Sequence, residues 1–342
     1  MRISGRIAAS FAVLLAVVAA AFASELLAGS AGIPVRDALL CLVGRGGEAA
    51  EISREVVLGV RLPRALTGAC VGALLALSGV LLQGFLRNPL AEPYLLGVSS
   101  GAGLAVTVAM IAGVPAFIFG FYSNLLFAFV GALAALVAVY WLAKFRGRLM
   151  VTTLILAGVV VSAVLSALIM LLASYSSSRF FEIFSWLMGH LQPVSGGTVA
   201  WAVAWTFAGL FASWAQSRDL NALMLGEEEA VSLGVRVEPF KRTMFLLSSI
   251  MTGAAVSVSG LIGFVGLVAP HAARLLVGSD HRVLIPASAL AGAALLMVAD
   301  AVARLLVAPA ELPVGVVTAL IGGPFFLFLL LRHARELSRR PR

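Results

Sequence analysis

From Pro93 to Ala143 the chain carries no Asp, Glu, Lys or Arg. One bilayer crossing needs about 20 apolar residues. The run is therefore too long for one helix, and Gly113-Val114-Pro115 supplies a break within it. Charged residues make up only 12% of the 342 residues and hydrophobic ones 61%, whereas soluble domains carry roughly 25% charged residues. The pattern implies an all-α polytopic membrane protein, with residues 1–342 forming one transmembrane domain.

Apolar spans fall near 7–24, 65–86, 94–112, 117–143, 149–173, 199–217, 243–273, 283–306 and 312–331. The N-terminus carries Arg2 and Arg6, and the tail carries Arg332, Arg335, Arg339, Arg340 and Arg342. Basic flanks face the cytoplasm, so both termini are expected there and the number of crossings is even. The segment 243–273 reconciles nine spans with this parity. It is longer than one span needs, contains Gly253, Gly260, Gly263 and Gly266, and has Pro270 near its end. It reads as one full helix followed by a short, incomplete return. About ten transmembrane helices, one short or broken, then place Lys144, Arg146, Arg148, Arg218, Arg236, Lys241, Arg242, Arg274 and Arg282 inside. Ala21-Phe22-Ala23 resembles a signal-peptidase site, but cleavage there would upset the parity, so the first run is kept as a helix. The net charge of +8 sits at span ends rather than in a basic stripe with aromatics, so a lipid membrane is expected as partner and nucleic acid is not. Cys41 and Cys70 show neither metal nor redox spacing.

Arg61-Leu-Pro-Arg64 opens a run of transmembrane length that ends in a polar hinge, Arg87, Asn88, Pro89, Glu92 and Pro93. A passive anchor has no need of such a hinge. Irregular backbone at membrane depth persists only where protein buries it or a watery cavity accepts its hydrogen bonds. The following Gly97–Gly103 run lacks the lysine and the strand–helix setting of a phosphate loop, and its small residues suit close helix packing or a pathway. Ser99, Ser100, Ser162 and Ser166 are the candidate pathway residues. Ser162 and Ser166 lie one helical turn apart and can equally bond to their own backbone.

The largest inner loop, 218–242, contains Gly226, Glu227, Glu228, Glu229, Ala230, Leu233 and Gly234. Two turns of helix fit here. The acids occupy the first turn, where the helix dipole favours them, and Gly234 stands where a C-cap glycine belongs. Pro239 separates this helix from the next span. A capped helix between two membrane helices suits docking to a soluble partner, with Ala230 as a small side chain for close approach. An ordinary solvated connector fits the same pattern.

The Arg61-Leu-Pro-Arg64 start, the Arg87-Asn-Pro-Leu-Ala-Glu-Pro93 hinge, Leu96–Gly103, Gly263–His271, Asp280-His-Arg282 and Leu312–Thr318 together resemble the FecCD-type permease subunits of bacterial ABC importers. The resemblance spans about residues 55–331 and implies a type II ABC importer permease-like fold of ten helices. It implies a second permease copy in a homodimer, two cytoplasmic ATPase subunits and a periplasmic substrate-binding protein, in the bacterial inner membrane. It makes the 226–234 segment the ATPase-coupling contact, and Arg61, Arg64 and Arg304 the docking cations for the binding protein. Asp300 stands four residues before Arg304, so an internal pair is the competing reading for that residue. The implied cargo is a metal chelate: ferric siderophore, haem or cobalamin.

The chain has no G-x-x-x-x-G-K-[ST], and its only lysines, Lys144 and Lys241, do not follow glycine. No catalytic residue, metal site or cofactor is therefore expected on it, and ATP and Mg belong to the partner ATPase. An ion-gradient transporter or channel is the alternative, but it calls for a midplane titratable group. Asp300 and Arg304 are the clear intramembrane candidates, and they stand close enough to pair. An intramembrane enzyme finds no Ser/His or paired-acid arrangement. His190, His271, His281 and His333 are scattered, and Phe180, Phe181 and Trp186 read as interfacial aromatics.

Overall fold

A computed structural model describes residues 2–27, 34, 36, 38, 53–118, 121–145, 148–176, 178–191 and 195–338. Cys41, Arg146, Arg339, Arg340, Arg342 and most of the loop before residue 53 lie outside the described residues. The helices are α1 (Arg2–Leu27), α2 (Leu62–Phe85), α3 (Val98–Ile111), α4 (Ser123–Ala143), α5 (Val151–Tyr175), α6 (Phe180–Leu187) and α7 (Gly196–Ala215). They continue as α8 (Ser217–Leu225), α9 (Glu227–Ser232), α10 (Val237–Ser259), α11 (Val265–Val277), α12 (His281–Leu305) and α13 (Val314–Ser338). Two short hairpins, β1 (Phe117–Ile118) with β2 (Phe121–Tyr122) and β3 (Lys144–Phe145) with β4 (Arg148–Leu149), flank α4.

Six helical stretches are long and apolar enough to cross a membrane: those at the α1, α2, α4, α5, α7 and α12 positions. Three shorter apolar helices, Val98–Ile111, Val265–Val277 and Val314–Phe328, join them. The first two turns of the 23-residue α10 are too charged for a plain hydropathy window, because they hold Glu238, Lys241 and Arg242. The described residues thus hold ten such helices where ten spans were expected, six of them long and apolar enough to cross by themselves. The 243–273 run divides as anticipated, at residues 260–264, into a full helix and a 13-residue return. The run from 117 differs in part. Its first residues pair as β1–β2, and the helix starts only at Ser123, because Gly113 takes φ 69° and reverses the chain ahead of it.

Helix α2 is the central element. It is buried on all sides and packs against α12, α10, α11 and α7. A π-helical turn, Glu55–Arg61, leads into it, and Pro63 sits in its first turn, where a missing N–H costs nothing. Backbones meet closely along it. A Cβ on Gly79 would stand 1.8 Å from the Gly266 carbonyl oxygen, and one on Gly72 would stand 2.2 Å from that of Gly292. Such small-residue contacts replace the hydrophobic drive that lipid removes between helices.

Helices α3 and α11 are each about 20 Å long at 1.5 Å per residue, short of the ~30 Å hydrocarbon layer. Both begin below the surface. Gly97, just before α3, lies beside Gly158 and Ser162, about 10 Å into α5. The two irregular segments meet there: the Glu92 carboxylate accepts a hydrogen bond from the Phe264 N–H at the start of α11. Gln83 of α2 donates to the Gly266 carbonyl at 3.2 Å and accepts from Arg274 at 3.2 Å. The hinge predicted at 87–93 is embedded only at its end: Ala91 and Pro93 are buried and Glu92 is half-buried, while Arg87 and Pro89 are exposed.

Candidate functional site

Two regions carry the chemistry, at opposite ends of α12. At its C-terminal end lies a buried cluster of charges. Arg64 grips Asp300 with two nitrogens, at 3.0 and 2.8 Å, and reaches Glu311 with a third at 2.9 Å. Arg304 pairs with Asp300 at 3.1 Å and with Glu25 of α1. Arg61 donates to the carbonyls of Leu26 and Leu27, at 2.9 and 3.1 Å, and so caps the end of α1. Three arginines and three acids tie α1, α2, α12 and the approach to α13 together.

This placement bears directly on the three arginines expected to be docking cations. Arg61, Arg64 and Arg304 are 4%, 8% and 3% exposed. Each is turned inward onto a partner within the chain rather than presented on the surface. The internal pair weighed for Arg304 is present. Glu311, with a side chain 35% exposed, is the cluster's accessible rim.

The other region is the segment before α10. Helices α8 and α9 meet at Gly226, whose φ of 150° suits glycine. The end of α9 is a Schellman motif. Gly234 takes φ 87° and donates to Val231 O at 2.9 Å, while Val235 donates to Ala230 O at 2.9 Å. The C-cap role read for Gly234 is therefore present. The 218–242 loop is shorter than expected, because α10 begins at Val237 and takes in its last residues.

Ala230 requires a correction. It is fully buried, and its carbonyl accepts from the Val235 N–H, so its side chain is packed within this chain and not presented to a partner. The surface is made instead by Leu225, Val231 and Leu233, exposed with Met224 beside the exposed Glu227, Glu228 and Glu229. Lys241, 5% exposed, anchors α9 through Glu227 at 2.7 Å. At the turn into α12, Asn221 binds Asp280 and His281, and Trp214 donates to the Arg282 carbonyl at 3.2 Å. The Asp280 carboxyl is held below its ordinary range, first by the Arg282 N–H.

The pathway serines are not brought together as a set. Ser99 is buried on α3, Ser100 and Ser162 are half-buried, and Ser166 is exposed on α5. Sequence reasoning missed Glu25, Glu311, Gln83 and Asn221. Glu25 alone carried a visible signal, as an acid at the end of an apolar span. Among the described residues no group of three His, Cys, Asp or Glu side chains could hold a metal ion.

Truncating Asp300 to Ala would remove the buried acid that Arg64 and Arg304 share. The expected loss of stability is about 3–5 kcal/mol, read as a lowered unfolding midpoint in detergent. Glu311→Gln at the rim should cost about 1 kcal/mol or less. Equal effects of the two changes would show that the cluster is not the buried unit described.

The chain matches the FecCD transport family over residues 14–332. It is 44% identical to the hemin transport system permease protein HmuU of Yersinia pestis over 83% of this chain and 85% of that protein. It is 46% identical to the cobalamin import system permease protein BtuC of Halobacterium salinarum over 84% of this chain and 76% of that protein. Among solved structures, a metal-chelate type ABC transporter in an inward-facing conformation superposes with a TM-score of 0.80 at 32% identity, covering 95% of this chain and 99% of that one. The PsaBC structure from Streptococcus pneumoniae, at 20% identity and a TM-score of 0.55, shares the fold. The broken helices, the central α2 and the family match over nearly the whole chain agree: this protein is a transport permease, and it belongs to the FecCD transport family.

Proposed function

We propose that this chain is the membrane permease of an ATP-driven importer that carries a metal chelate of the haem or corrinoid class. The observation that carries the proposal is the 217–234 segment. Its two short helices are fixed by Gly226, a Schellman cap and the Lys241–Glu227 pair, yet it leaves Leu225, Val231 and Leu233 exposed beside three acids. An apolar patch with a charged rim suits a protein partner. The chain itself lacks a phosphate-binding loop, so ATP and Mg belong on two ATPase subunits at this end. Relatives that import hemin and cobalamin support the cargo class. The basic flanks support a reading in which this end and both termini face the cytoplasm of a bacterial inner membrane.

Leu233→Glu and Val231→Glu place charge in the middle of that patch without touching the buried Ala230. Each should reduce ATPase association at least tenfold in a pull-down from membranes, while the permease keeps its melting temperature. Undiminished association of both variants would place the contact elsewhere.

A second copy of this chain completes the pathway in this reading. Helix α5 is exposed over much of its circumference, at Val159 and Ser166 on one side and at Val160, Val164, Leu168 and Leu171 on another. With Cys41→Ser and Cys70→Ser in the background, Ser166→Cys should crosslink between copies in membranes, with a yield that changes on adding ATP. A chain that stays monomeric under oxidation there would remove this face from the interface.

A periplasmic binding protein is the expected partner at the opposite end. Its acids could reach Arg64 by displacing Glu311, the one half-exposed acid of the cluster. Glu311→Gln should then tighten association about two- to fivefold, the range of a single exposed ion pair. Weaker or unchanged binding would separate Arg64 from docking.

A further inference from the structure

One amide side chain joins the 217–234 segment to the membrane helices. Asn221, in the middle of α8, faces the first turn of α12. Its Oδ1 accepts from the His281 backbone N–H at 3.0 Å and lies 2.7 Å from His281 Nδ1. Its Nδ2 donates to Asp280 Oδ1 at 2.7 Å. The carboxylate can only accept, which sets the orientation of the amide, and the amide oxygen in turn requires the proton on His281 Nδ1. Asp280 Oδ1 also takes the Arg282 N–H at 3.0 Å and caps the helix.

Three directional bonds through one short side chain fix both distance and rotation, which apolar contacts do not. The start of α12 is also close to α11. Only Gly278, Ser279 and Asp280 separate the two helices, and Arg274 at the end of α11 holds Gln83 of α2. Gln83 returns to Gly266 near the start of α11, where Glu92 holds the Phe264 N–H. On the other side, α8 runs to Leu225 and only Gly226 stands before α9. A push on the Leu225–Leu233 surface therefore moves Asn221 with it.

We infer that Asn221 is the positioning residue through which movement of the 225–233 surface is transmitted to α11 and α12. The inference rests on the reading of that surface as the ATPase contact. A residue that merely caps α12 would affect stability and leave the yield of transport per ATP unchanged. A transmitting residue alters that yield while hydrolysis continues.

The test uses the full complex, with ATPase and binding protein, in proteoliposomes, and hemin as the transported probe. Asn221→Ala should keep ATPase association and hydrolysis within about twofold of the parent. Hemin moved per ATP should fall about tenfold, within the 5–150-fold span of coupling between sites. A second readout is independent of the cargo. Spin labels on Met224→Cys and Leu276→Cys, in the Cys41→Ser, Cys70→Ser background, should keep one distance when ATP is added to the parent, and lose it when Asn221→Ala is present. The paired change Asn221→Asp with Asp280→Asn reverses the polarity of the bond and should restore both readouts. It also keeps the inference testable if Asn221→Ala folds poorly. An unchanged yield per ATP with an unchanged label distance overturns the inference, as does a loss of uptake that tracks hydrolysis one for one. Leu233→Glu separates the two ideas. If that variant releases the ATPase while Asn221→Ala has no effect on yield, only the role of Asn221 fails. If Leu233→Glu leaves the ATPase bound, the contact surface itself is misplaced.

Discussion

A helix that stops inside a bilayer leaves N–H and C=O groups with no water to receive them. This chain stops two helices there, and the rest of the structure accommodates that fact. The Phe264 N–H, at the start of α11, is taken by the Glu92 carboxylate from the other broken segment. The Gly266 carbonyl is taken by Gln83 of α2. A carboxylate at a helix N-terminus is also favoured by the dipole, so one group answers both the missing hydrogen bond and the partial charge. The arrangement requires backbones to approach closely, and glycine supplies the room: Gly79 and Gly266 meet where any Cβ would collide. The polar hinge, the glycines of 260–266 and the all-round burial of α2 are therefore one requirement seen from three sides.

The charge cluster at the far end of α12 answers a different problem. Burying ions is expensive unless each is paired and hydrogen-bonded. Asp300 is shared between Arg64 and Arg304, Glu25 completes Arg304, and Glu311 completes Arg64. Arg61, the third arginine, is held by the Leu26 and Leu27 carbonyls instead of an acid. Its geometric effect is to pin α1, α2 and α12 at one end of the bundle. The other end has lighter fastenings, in Asn221 and Trp214, and carries the exposed apolar patch.

Much of this was legible in the sequence, because spans, caps and breaks are local. The charge-free run, the parity of basic ends and the glycine-rich 243–273 segment led to ten helices and to the position of the break. Gly234 followed from the same local logic. The partners of Arg61 and Arg64 were not legible. Arg64 and Asp300 are 236 positions apart, and no local pattern reports a contact between helices that far apart. Ala230 was read outward because a six-residue helix is too short for periodicity to reveal its inner face. Asn221 gave no signal at all, since an isolated amide in a polar loop looks the same whether it is solvated or holds another helix in place.

The same geometry bears on how transport is driven. An ion-coupled carrier needs a group near the midplane that changes charge as it works. Asp300 and Arg304, the clear candidates by sequence, are engaged with each other and with Arg64 and Glu25 near an end of α12. Glu92 lies where the two broken segments meet, and its side-chain oxygen accepts from the Phe264 N–H at the start of α11. Each of these groups is thus committed to a partner within the chain. That favours a driving force applied from outside the membrane, on the surface at 225–233, over one drawn from protons or ions moving through the chain. It also accounts for the contrast between the two ends. A mechanical input needs a fixed end to work against, and the buried, paired cluster around Asp300 provides one.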